Sequence, residues 1–272
     1  MSLAAGCSRC DRPHRRPAPT ASIDGGRSTG CGKTRRAARG EKHSVRGGRT
    51  FHVWTPSSYE PSTAYPVVLT LHGWGGNGPA FAKWFEMEKH VDDSAIVVYP
   101  DARDGVWDFH GEADLDFTAG VLDAVGEEYC VDRSRVLAFG FSFGAKMAQH
   151  LACKRPDLVK AAAAGAGSWA ERTPKCVEPI PVLVVHRTRD DNESMSGAKD
   201  AVKRWVAFDQ CRTDSEPSAL GHGCVEYPGC ASGKSSVTFC EDTHYDRSWP
   251  RSWNHTVREE YRALVWRWFA GL

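Results

Sequence analysis

A short segment at residues 140–144 carries the strongest chemical signal in the sequence. Gly140-Phe141-Ser142-Phe143-Gly144 follows the apolar run 136–139 and opens an apolar pattern of helical spacing over residues 143–151. A GxSxG sequence at a strand-to-helix junction is typical of a nucleophile elbow, because its glycines permit the tight turn that exposes the Ser hydroxyl above the sheet. We therefore predict that Ser142 is a nucleophile for attack on a carbonyl carbon.

A second glycine-rich loop could stabilise the charge that such an attack creates. Residues 72–77, His72-Gly73-Trp74-Gly75-Gly76-Asn77, directly follow the apolar run 66–71. Glycines at this point let backbone N–H groups approach a substrate oxygen, as an oxyanion hole requires. We predict that the amides of Trp74 and Phe143 form this hole, and that His72 shapes the loop rather than acting as a base.

The acid of a catalytic triad is expected after a later strand. In an α/β-hydrolase the triad residues follow the chain order Ser, then Asp or Glu, then His. The apolar run 182–185 lies two strand–helix units beyond Ser142 and is followed by two neighbouring aspartates. We predict Asp190 as the acid, with Asp191 as the alternative.

The base is expected after the last strand. The apolar run 237–239 is followed by His244, which we predict as the general base. His255 is its rival, but it lies at the start of the terminal helix, where a histidine more often serves capping or solvent contact. His222 precedes the last strand and is less suitable.

Short apolar runs alternate with helical patterns from residue 50 onward. Several runs, such as 67–69 and 182–185, are continuously apolar, as expected for strands that are buried on both faces. This alternation predicts an α/β domain over residues 46–272, with a mostly parallel sheet and helices on both faces. The expected strands are 50–54, 66–71, 95–99, 136–139, 161–165, 182–185 and 237–239.

The first 45 residues differ from the rest in composition. They are rich in Arg, Pro, Gly, Ser and Thr and contain almost no aliphatic residues, so we predict a disordered basic leader over residues 1–45. Leu3-Ala4-Ala5-Gly6-Cys7 is similar to the end of a bacterial lipoprotein cleavage site, although no apolar segment precedes it. The leader is therefore either the remnant of a secretion or lipoprotein signal or a misassigned start.

Charge is distributed unevenly along the chain. Residues 1–50 carry 12 Lys and Arg against 3 Asp and Glu, whereas residues 51–272 carry 23 against 31. The main domain is therefore mildly acidic, which argues against nucleic acid as its partner. No run approaches the roughly 18 apolar residues that cross a bilayer, so we expect no membrane span.

Ten cysteines are many for a protein of a reducing compartment. With Cys7 and Cys10 set aside, an even number remains, which predicts disulfides and an extracellular or periplasmic location; the alternative is that several are small buried apolar residues. We predict the pairs Cys130–Cys153 and Cys176–Cys211, because each would join the start of a strand to the end of the helix that returns to the same edge of the sheet. The cysteines left unassigned are Cys31, Cys224, Cys230 and Cys240.

Together these motifs resemble a known family. Besides the loop at 72–77 and the elbow, the matching segments are 99–101, 106–109, 114–117, 129–132, 135–136, 151–153, 186–190 and 244–250. From about Ser28 to the C-terminus, the chain is similar to the secreted feruloyl esterase and polyhydroxybutyrate depolymerase group, which is carbohydrate esterase family 1 and its relatives. The resemblance implies an α/β-hydrolase fold, a Ser-His-Asp triad, and extracellular hydrolysis of esters without a cofactor or metal.

The chain departs from the family pattern at three places. The family's HGTxD appears here as His186-Arg187-Thr188-Arg189-Asp190, so that Arg187 stands where Gly is expected. Ala145 replaces a Gly after the elbow, and the compact motif around the base is stretched over residues 244–250. The last departure weakens the assignment of His244.

The substrate class is predicted from aromatic residues. Several of the ten Trp follow strands at the edge of the sheet where open α/β sheets bind ligands, and aromatic rings suit the stacking of phenolic rings or sugar faces. We predict hydroxycinnamoyl (feruloyl-type) esters on plant polysaccharide as the substrate, contacted by Trp107 and Trp169. The alternatives are a polyhydroxybutyrate depolymerase, an acetyl xylan esterase and, in another class, a non-catalytic esterase-like binding module. We expect a monomer.

Overall fold

A single ten-stranded sheet runs through the computed structural model, which describes residues 26–170, 175–233, 236–244 and 254–272. The strands are β1 (Arg39–Ser44), β2 (Thr50–Trp54), β3 (Tyr65–Leu71), β4 (Ile96–Pro100), β5 (Val131–Phe141), β6 (Ala161–Gly165), β7 (Val182–Arg187), β8 (Glu216–Pro217), β9 (Cys224–Tyr227) and β10 (Val237–Asp242). The helices are α1 (Gly78–Phe85), α2 (Ala113–Glu128), α3 (Phe143–Lys154), α4 (Met195–Phe208) and α5 (Glu259–Ala270).

The strand order is β1-β2-β4-β3-β5-β6-β7-β10-β9-β8. The six central strands, from β4 to β10 in this order, are parallel, whereas the two strands at each end pair antiparallel. Because parallel strands end at the same edge of a sheet, the loops that follow β3, β5, β7 and β10 are brought together there.

The central strands are apolar on both faces because helices cover both. In β5, Val136 and Ala138 pack in the layer of α2, α3 and α4, whereas Leu137 and Phe139 pack in the layer of α1 and α5. The predicted α/β architecture, with a mostly parallel sheet between two helical layers, is confirmed. Within the described residues, no helix is both long enough and apolar enough to cross a membrane.

Three strands were not expected from the sequence. All three lie at the ends of the sheet, and β1 is largely exposed with a polar sequence, so no apolar run marks it. Conversely, β10 extends beyond the predicted 237–239 to Asp242, because its polar end pairs with β7 in the interior of the sheet.

The prediction that residues 1–45 form a disordered leader is wrong for residues 26–45. From Gly26 onward the chain packs against the domain: the Ser28 amide donates to the carbonyl of Val131 at 2.9 Å, and the Ser28 hydroxyl donates to that of Tyr129 at 2.8 Å. A basic composition did not prevent this, because a few small residues and one disulfide are sufficient to hold the segment. Residues 1–25 lie outside the described residues.

Both predicted disulfides are wrong. Cys130 bonds to Cys31, because the N-terminal segment crosses the sheet edge where β5 begins. Cys153 bonds to Cys176, and the adjacent Val177 amide donates to the Cys153 carbonyl at 2.9 Å. The disulfides among the described residues are Cys31–Cys130, Cys153–Cys176, Cys211–Cys230 and Cys224–Cys240.

Candidate active site

Ser142 lies where β5 turns sharply into α3. Its φ of 55° and ψ of −116° are a backbone conformation that non-glycine residues rarely adopt, as in a strained turn at a functional site. The flanking glycines are required by close packing, because a Cβ on Gly140 would overlap the Gly144 carbonyl, and one on Gly144 would overlap the Leu71 carbonyl. The predicted elbow is therefore present in the fold.

The side chains of Ser142, His255 and Asp190 form a continuous hydrogen-bonded line. The Nε2 atom of His255 lies 2.7 Å from the Ser142 Oγ, and its Nδ1 atom lies 2.9 and 2.8 Å from the two carboxylate oxygens of Asp190. The ring of Phe141 packs against that of His255, with centroids 4.9 Å apart. A nucleophile, a base and an orienting acid in this arrangement can perform acyl transfer.

Asp190 is held in place by the loop that follows β7. Its Oδ1 atom accepts hydrogen bonds from the amides of Asn192 and Glu193, each at 2.9 Å. Burial alone would raise the pKa of Asp190, but the hydrogen bonds from His255 and from these amides outweigh it, so that the pKa lies below its ordinary value. Asp190 is therefore ionised at neutral pH and can stabilise a protonated His255. The alternative acid, Asp191, is exposed and takes no part in the line.

The geometry places His255, and not the predicted His244, against Ser142. His244 follows the end of β10, three strands away from β5 in the sheet, which corresponds to about 14 Å at the usual strand spacing. Its backbone is held there, because its amide donates to Asp242 at 3.0 Å and its carbonyl accepts from Arg187 at 2.7 Å. His255 lies 13 residues beyond the end of β10, and its ring contacts Ser142.

His222, the least favoured candidate, is also remote from Ser142 in its contacts. Its ring packs against that of Tyr261, and its carbonyl accepts from the Tyr261 hydroxyl at 2.9 Å. The only sequence signal against His244 was the stretched motif at residues 244–250, whereas no local pattern marked His255.

The loop after β3 lies beside the elbow and is fixed by His72. The Nδ1 atom of His72 lies 2.8 Å from the Gly73 carbonyl, and its Nε2 atom accepts the Ala102 amide at 3.1 Å. Burial lowers the pKa of His72, which keeps its ring neutral in this pair of contacts. His72 therefore shapes the loop, as the sequence predicted.

The amides of Trp74 and Phe143 are available for an oxyanion. Phe143 is the first residue of α3, so its N–H has no partner within the helix. In the part of the chain that the structure describes, neither amide donates to a backbone carbonyl or a side chain. Their role as an oxyanion hole stays a prediction, which this geometry permits.

Of the two predicted aromatic contacts, Trp107 is excluded by burial. Trp107 is only 2% exposed, its Nε1 donates to the His72 carbonyl at 2.9 Å, and its ring packs on that of His72. Trp107 therefore supports the loop after β3 from the protein interior and cannot contact a substrate. Trp169 is half-buried and packs edge-on against Trp205 at 5.3 Å. Trp249 and Trp253 lie outside the described residues.

The most exposed tryptophan in the described residues at the site is Trp74, at 68%. Its ring packs edge-on against Phe143 with centroids 5.1 Å apart, and Phe143 packs against Phe109 at 4.8 Å. These three rings, which we call the aromatic row, flank the elbow, since Phe143 is the residue after Ser142.

One group of possible metal ligands occurs in the described residues, and it lies outside this site. Asp209, Cys211 and Cys230 have ligand atoms close together, but the two sulfurs form a disulfide and are not thiolates. The Asp209 carboxylate instead accepts hydrogen bonds from the amide and hydroxyl of Ser232, each at 3.1 Å. The group therefore closes a turn and does not suit a metal ion.

The sheet topology and the elbow define the class of the protein, the α/β-hydrolases. Among solved structures, the fold is similar to that of an acetyl xylan esterase from Aspergillus awamori, with a TM-score of 0.59, 16% identity, and coverage of 81% of this chain and 94% of that one.

Residues 43–218 match the model of the family described as "Putative esterase", and the chain belongs to this esterase family. It is 27% identical over 228 residues to "Probable feruloyl esterase C" of Aspergillus niger, covering 80% of this chain and 84% of that protein. It is also 27% identical over 227 residues to feruloyl esterase C of Emericella nidulans, covering 80% of this chain and 83% of that protein. The protein is a carboxylic ester hydrolase, as the sequence predicted.

Proposed function

We propose that this esterase cleaves hydroxycinnamoyl (feruloyl-type) esters of plant polysaccharide through an acyl-enzyme on Ser142. His255 is the general base and Asp190 is the acid that orients it. The observation that carries the mechanism is the hydrogen-bonded line from the Ser142 hydroxyl through both nitrogens of His255 to Asp190.

In the first half of the reaction, Ser142 Oγ bonds to the ester carbonyl carbon while its proton passes to His255 Nε2. The carbonyl oxygen takes the negative charge, and the amides of Trp74 and Phe143 stabilise it. As the ester C–O bond breaks, His255 gives the proton to the oxygen of the leaving alcohol. The acyl group remains on Ser142.

In the second half, a water molecule replaces the alcohol. His255 takes a proton from the water, whose oxygen bonds to the acyl carbon. The bond to Ser142 Oγ then breaks, His255 returns the proton to the Ser142 hydroxyl, and the carboxylic acid leaves. Asp190 stabilises the charged imidazole in both halves.

The substrate class is supported by the aromatic row and by the relatives. The exposed ring of Trp74 offers a flat apolar surface beside the oxyanion amides, and aromatic pairs gain about 0.5–1.5 kcal/mol beyond their buried area. Trp169 supplies a second ring, in a loop that is tied to the acid loop because the Ser168 hydroxyl donates to Glu193 at 2.7 Å. The two fungal relatives reported above carry the name feruloyl esterase.

We also place the protein in an oxidising compartment, outside the cytosol. All eight cysteines of the described residues are paired in disulfides. Such pairs persist in secreted and periplasmic proteins and are rare in a reducing cytosol.

The mechanism is tested by replacing Ser142. We expect Ser142→Ala to lose at least a thousandfold in kcat on p-nitrophenyl acetate and methyl ferulate, and to lose labelling by a fluorophosphonate probe. The control is Ser94→Ala, since Ser94 precedes β4 at the opposite edge of the sheet and its hydroxyl donates to the nearby Val91 carbonyl, at 2.7 Å. Turnover that survives in a folded Ser142→Ala protein would end the proposal.

The substrate class is tested separately with the wild-type protein. We expect a higher kcat/KM on methyl ferulate than on acetylated xylan or hydroxybutyrate oligomers. A preference for the oligomers or for acetyl groups would reject the feruloyl proposal and leave the mechanism standing. A wild-type Ser142 that no fluorophosphonate labels would instead indicate a non-catalytic binding module.

A further inference from the structure

A cluster of three charged side chains, two of them buried, lies between the loops that carry Asp190 and His255. Arg187 ends β7, Asp242 ends β10, and Arg258 directly precedes α5. The side chains of Arg187 and Asp242 are only 2% and 1% exposed, and the Nε of Arg187 lies 3.3 Å from the Oδ2 of Asp242. The side chain of Arg258 is partly exposed, and its Nε and Nη2 donate to the two Asp242 oxygens at 2.8 Å each.

The cluster connects the two halves of the acid–base pair. Arg187 is three residues before Asp190, and its carbonyl accepts the Asp190 amide at 3.2 Å. Arg258 is three residues after His255. The carboxylate of Asp242 therefore contacts both the segment that precedes Asp190 and the segment that follows His255.

Backbone contacts extend this connection around the ends of the two strands. The Oδ1 atom of Asp242 accepts the His244 amide at 3.0 Å, and the Nη2 of Arg187 donates to the His244 carbonyl at 2.7 Å. The Thr188 amide donates to the Asp242 carbonyl at 2.9 Å. The start of the acid loop is thus bonded to β10 through both backbone and side chain.

Stability alone is a poor explanation for such a cluster. Removing a cation and a carboxylate such as Arg187 and Asp242 from water costs as much as their attraction returns, and apolar side chains of similar volume are often equally stable. What the charges add is direction, because the planar guanidinium of Arg258 bonds Asp242 through two donors, and that of Arg187 joins Asp242 to the His244 carbonyl. Arg187 also stands where the pattern that the chain resembles has Gly.

We propose that Arg187, Asp242 and Arg258 are positioning residues, which set the separation between the acid loop and His255. The inference rests on the proposed function of the triad. His255 bridges Ser142 and Asp190 with contacts of 2.7 and 2.8 Å, so a shift of either loop breaks one of them. A misplacement of about 1 Å near a reaction centre lowers the rate by about a hundredfold.

Arg187→Met tests the proposal with the least risk to folding, because Asp242 keeps its two bonds from Arg258. We expect kcat on p-nitrophenyl acetate to fall about 10- to 100-fold, while KM stays within about threefold, since no substrate contact is removed. The control is Arg155→Met, which removes another arginine–carboxylate pair, with Asp157, where α3 ends at the opposite edge of the sheet. We expect the control to keep wild-type kcat.

A second readout does not depend on turnover. The proton on His255 Nδ1, bonded to Asp190, should give a low-field proton NMR signal that is absent in His255→Gln. We expect Arg187→Met to broaden or remove this signal and Arg155→Met to keep it. If wild type shows no esterase activity but the signal responds in this way, the proposed function fails and the positioning role stands.

If Arg187→Met does not fold, the more conservative variant Arg187→Lys tests the same proposal. Arg187→Lys retains a charge, but a single ammonium group cannot both lie beside Asp242 and donate to the His244 carbonyl as the guanidinium does, so we expect a folded protein with a kcat severalfold below wild type. The proposal is overturned if the folded variants keep kcat within twofold of wild type. A lower kcat with an unchanged low-field signal would overturn it as well.

Discussion

At the scale of single residues, the question is whether His255 or His244 is the general base. Both ring nitrogens of His255 are engaged, one by Ser142 and one by Asp190, whereas His244 is held at the end of β10. A base that must take and return a proton needs both contacts, because the second fixes the tautomer that makes the first productive.

We therefore expect His255→Ala to lower kcat on p-nitrophenyl acetate by at least a thousandfold. His244→Ala is the matched control and should stay within about fivefold, because its contacts with Asp242 and Arg187 use backbone atoms that alanine retains. Steady-state kinetics on the two purified variants decide the question. The reverse ranking would restore His244 as the base.

The ring of Trp74 can be tested apart from its amide. Trp74→Ala keeps the backbone N–H but removes the exposed end of the aromatic row, so we expect KM for methyl ferulate to rise about three- to tenfold while KM for p-nitrophenyl acetate changes little. Val177→Ala is the control, because Val177 is an exposed apolar residue that follows Cys176, which is bonded to Cys153 near the end of α3 at the opposite edge of the sheet. Equal effects of Trp74→Ala on both esters would argue against a phenolic contact.

At the scale of elements, α3 carries a histidine whose burial is costly. His150 is buried beside Phe109, and neither of its ring nitrogens has a hydrogen-bond partner among the described residues. Burial, together with the nearby charge of Lys154, lowers the pKa of His150 to about 4. The ring is thus neutral in the folded protein at neutral pH.

This burial makes folding depend on pH in a defined direction. The unfolded chain takes up the proton near pH 6.5, but the folded protein takes it up only near pH 4, so stability is complete above pH 6.5 and falls as the pH drops toward 4. We expect His150 to contribute about 2–3 kcal/mol to the loss of unfolding free energy between pH 7.5 and 4.5.

Urea denaturation at these two pH values measures the effect. His150→Leu should lose less stability than wild type over this range, whereas His110→Leu, a change at an exposed histidine, should behave like wild type. If wild type and His150→Leu lose the same amount, His150 is not the group responsible.

At the scale of the whole molecule, the disulfides tie distant parts of the chain to the central sheet. Cys31–Cys130 spans 99 residues and fastens the N-terminal segment, whereas Cys211–Cys230 spans 19 residues and closes a local turn. A longer closed loop restricts the unfolded chain more strongly, so the first bond should contribute more to stability.

We expect the double variant Cys31→Ser with Cys130→Ser to lose about 4–5 kcal/mol of unfolding free energy, and Cys211→Ser with Cys230→Ser to lose about 3 kcal/mol. Guanidinium denaturation of both variants measures the difference. A smaller loss for the long loop than for the short one would show that strain or residual structure dominates.

Local patterns in the sequence determined the strand–helix alternation, the elbow at Ser142 and the position of Asp190 in the loop after β7. Each depends on neighbouring residues: apolar runs define buried strands, glycines permit the sharp turn, and the residues after a parallel strand lie at one edge of the sheet. The strands 50–54 and 161–165 accordingly match β2 and β6 residue for residue.

Only the tertiary structure decided which partners meet across the fold. His255 rather than His244 lies against Ser142, because the backbone of His244 is held at the end of β10, three strands from β5. Cys31 bonds Cys130 because the N-terminal segment crosses the start of β5. Trp107 is buried beneath His72, although its position after a strand predicted a substrate contact at the edge of the sheet. Such contacts join residues that are far apart in the chain. Whether two of these residues meet depends on how the helices and strands pack together, and a local sequence pattern carries no information about that packing.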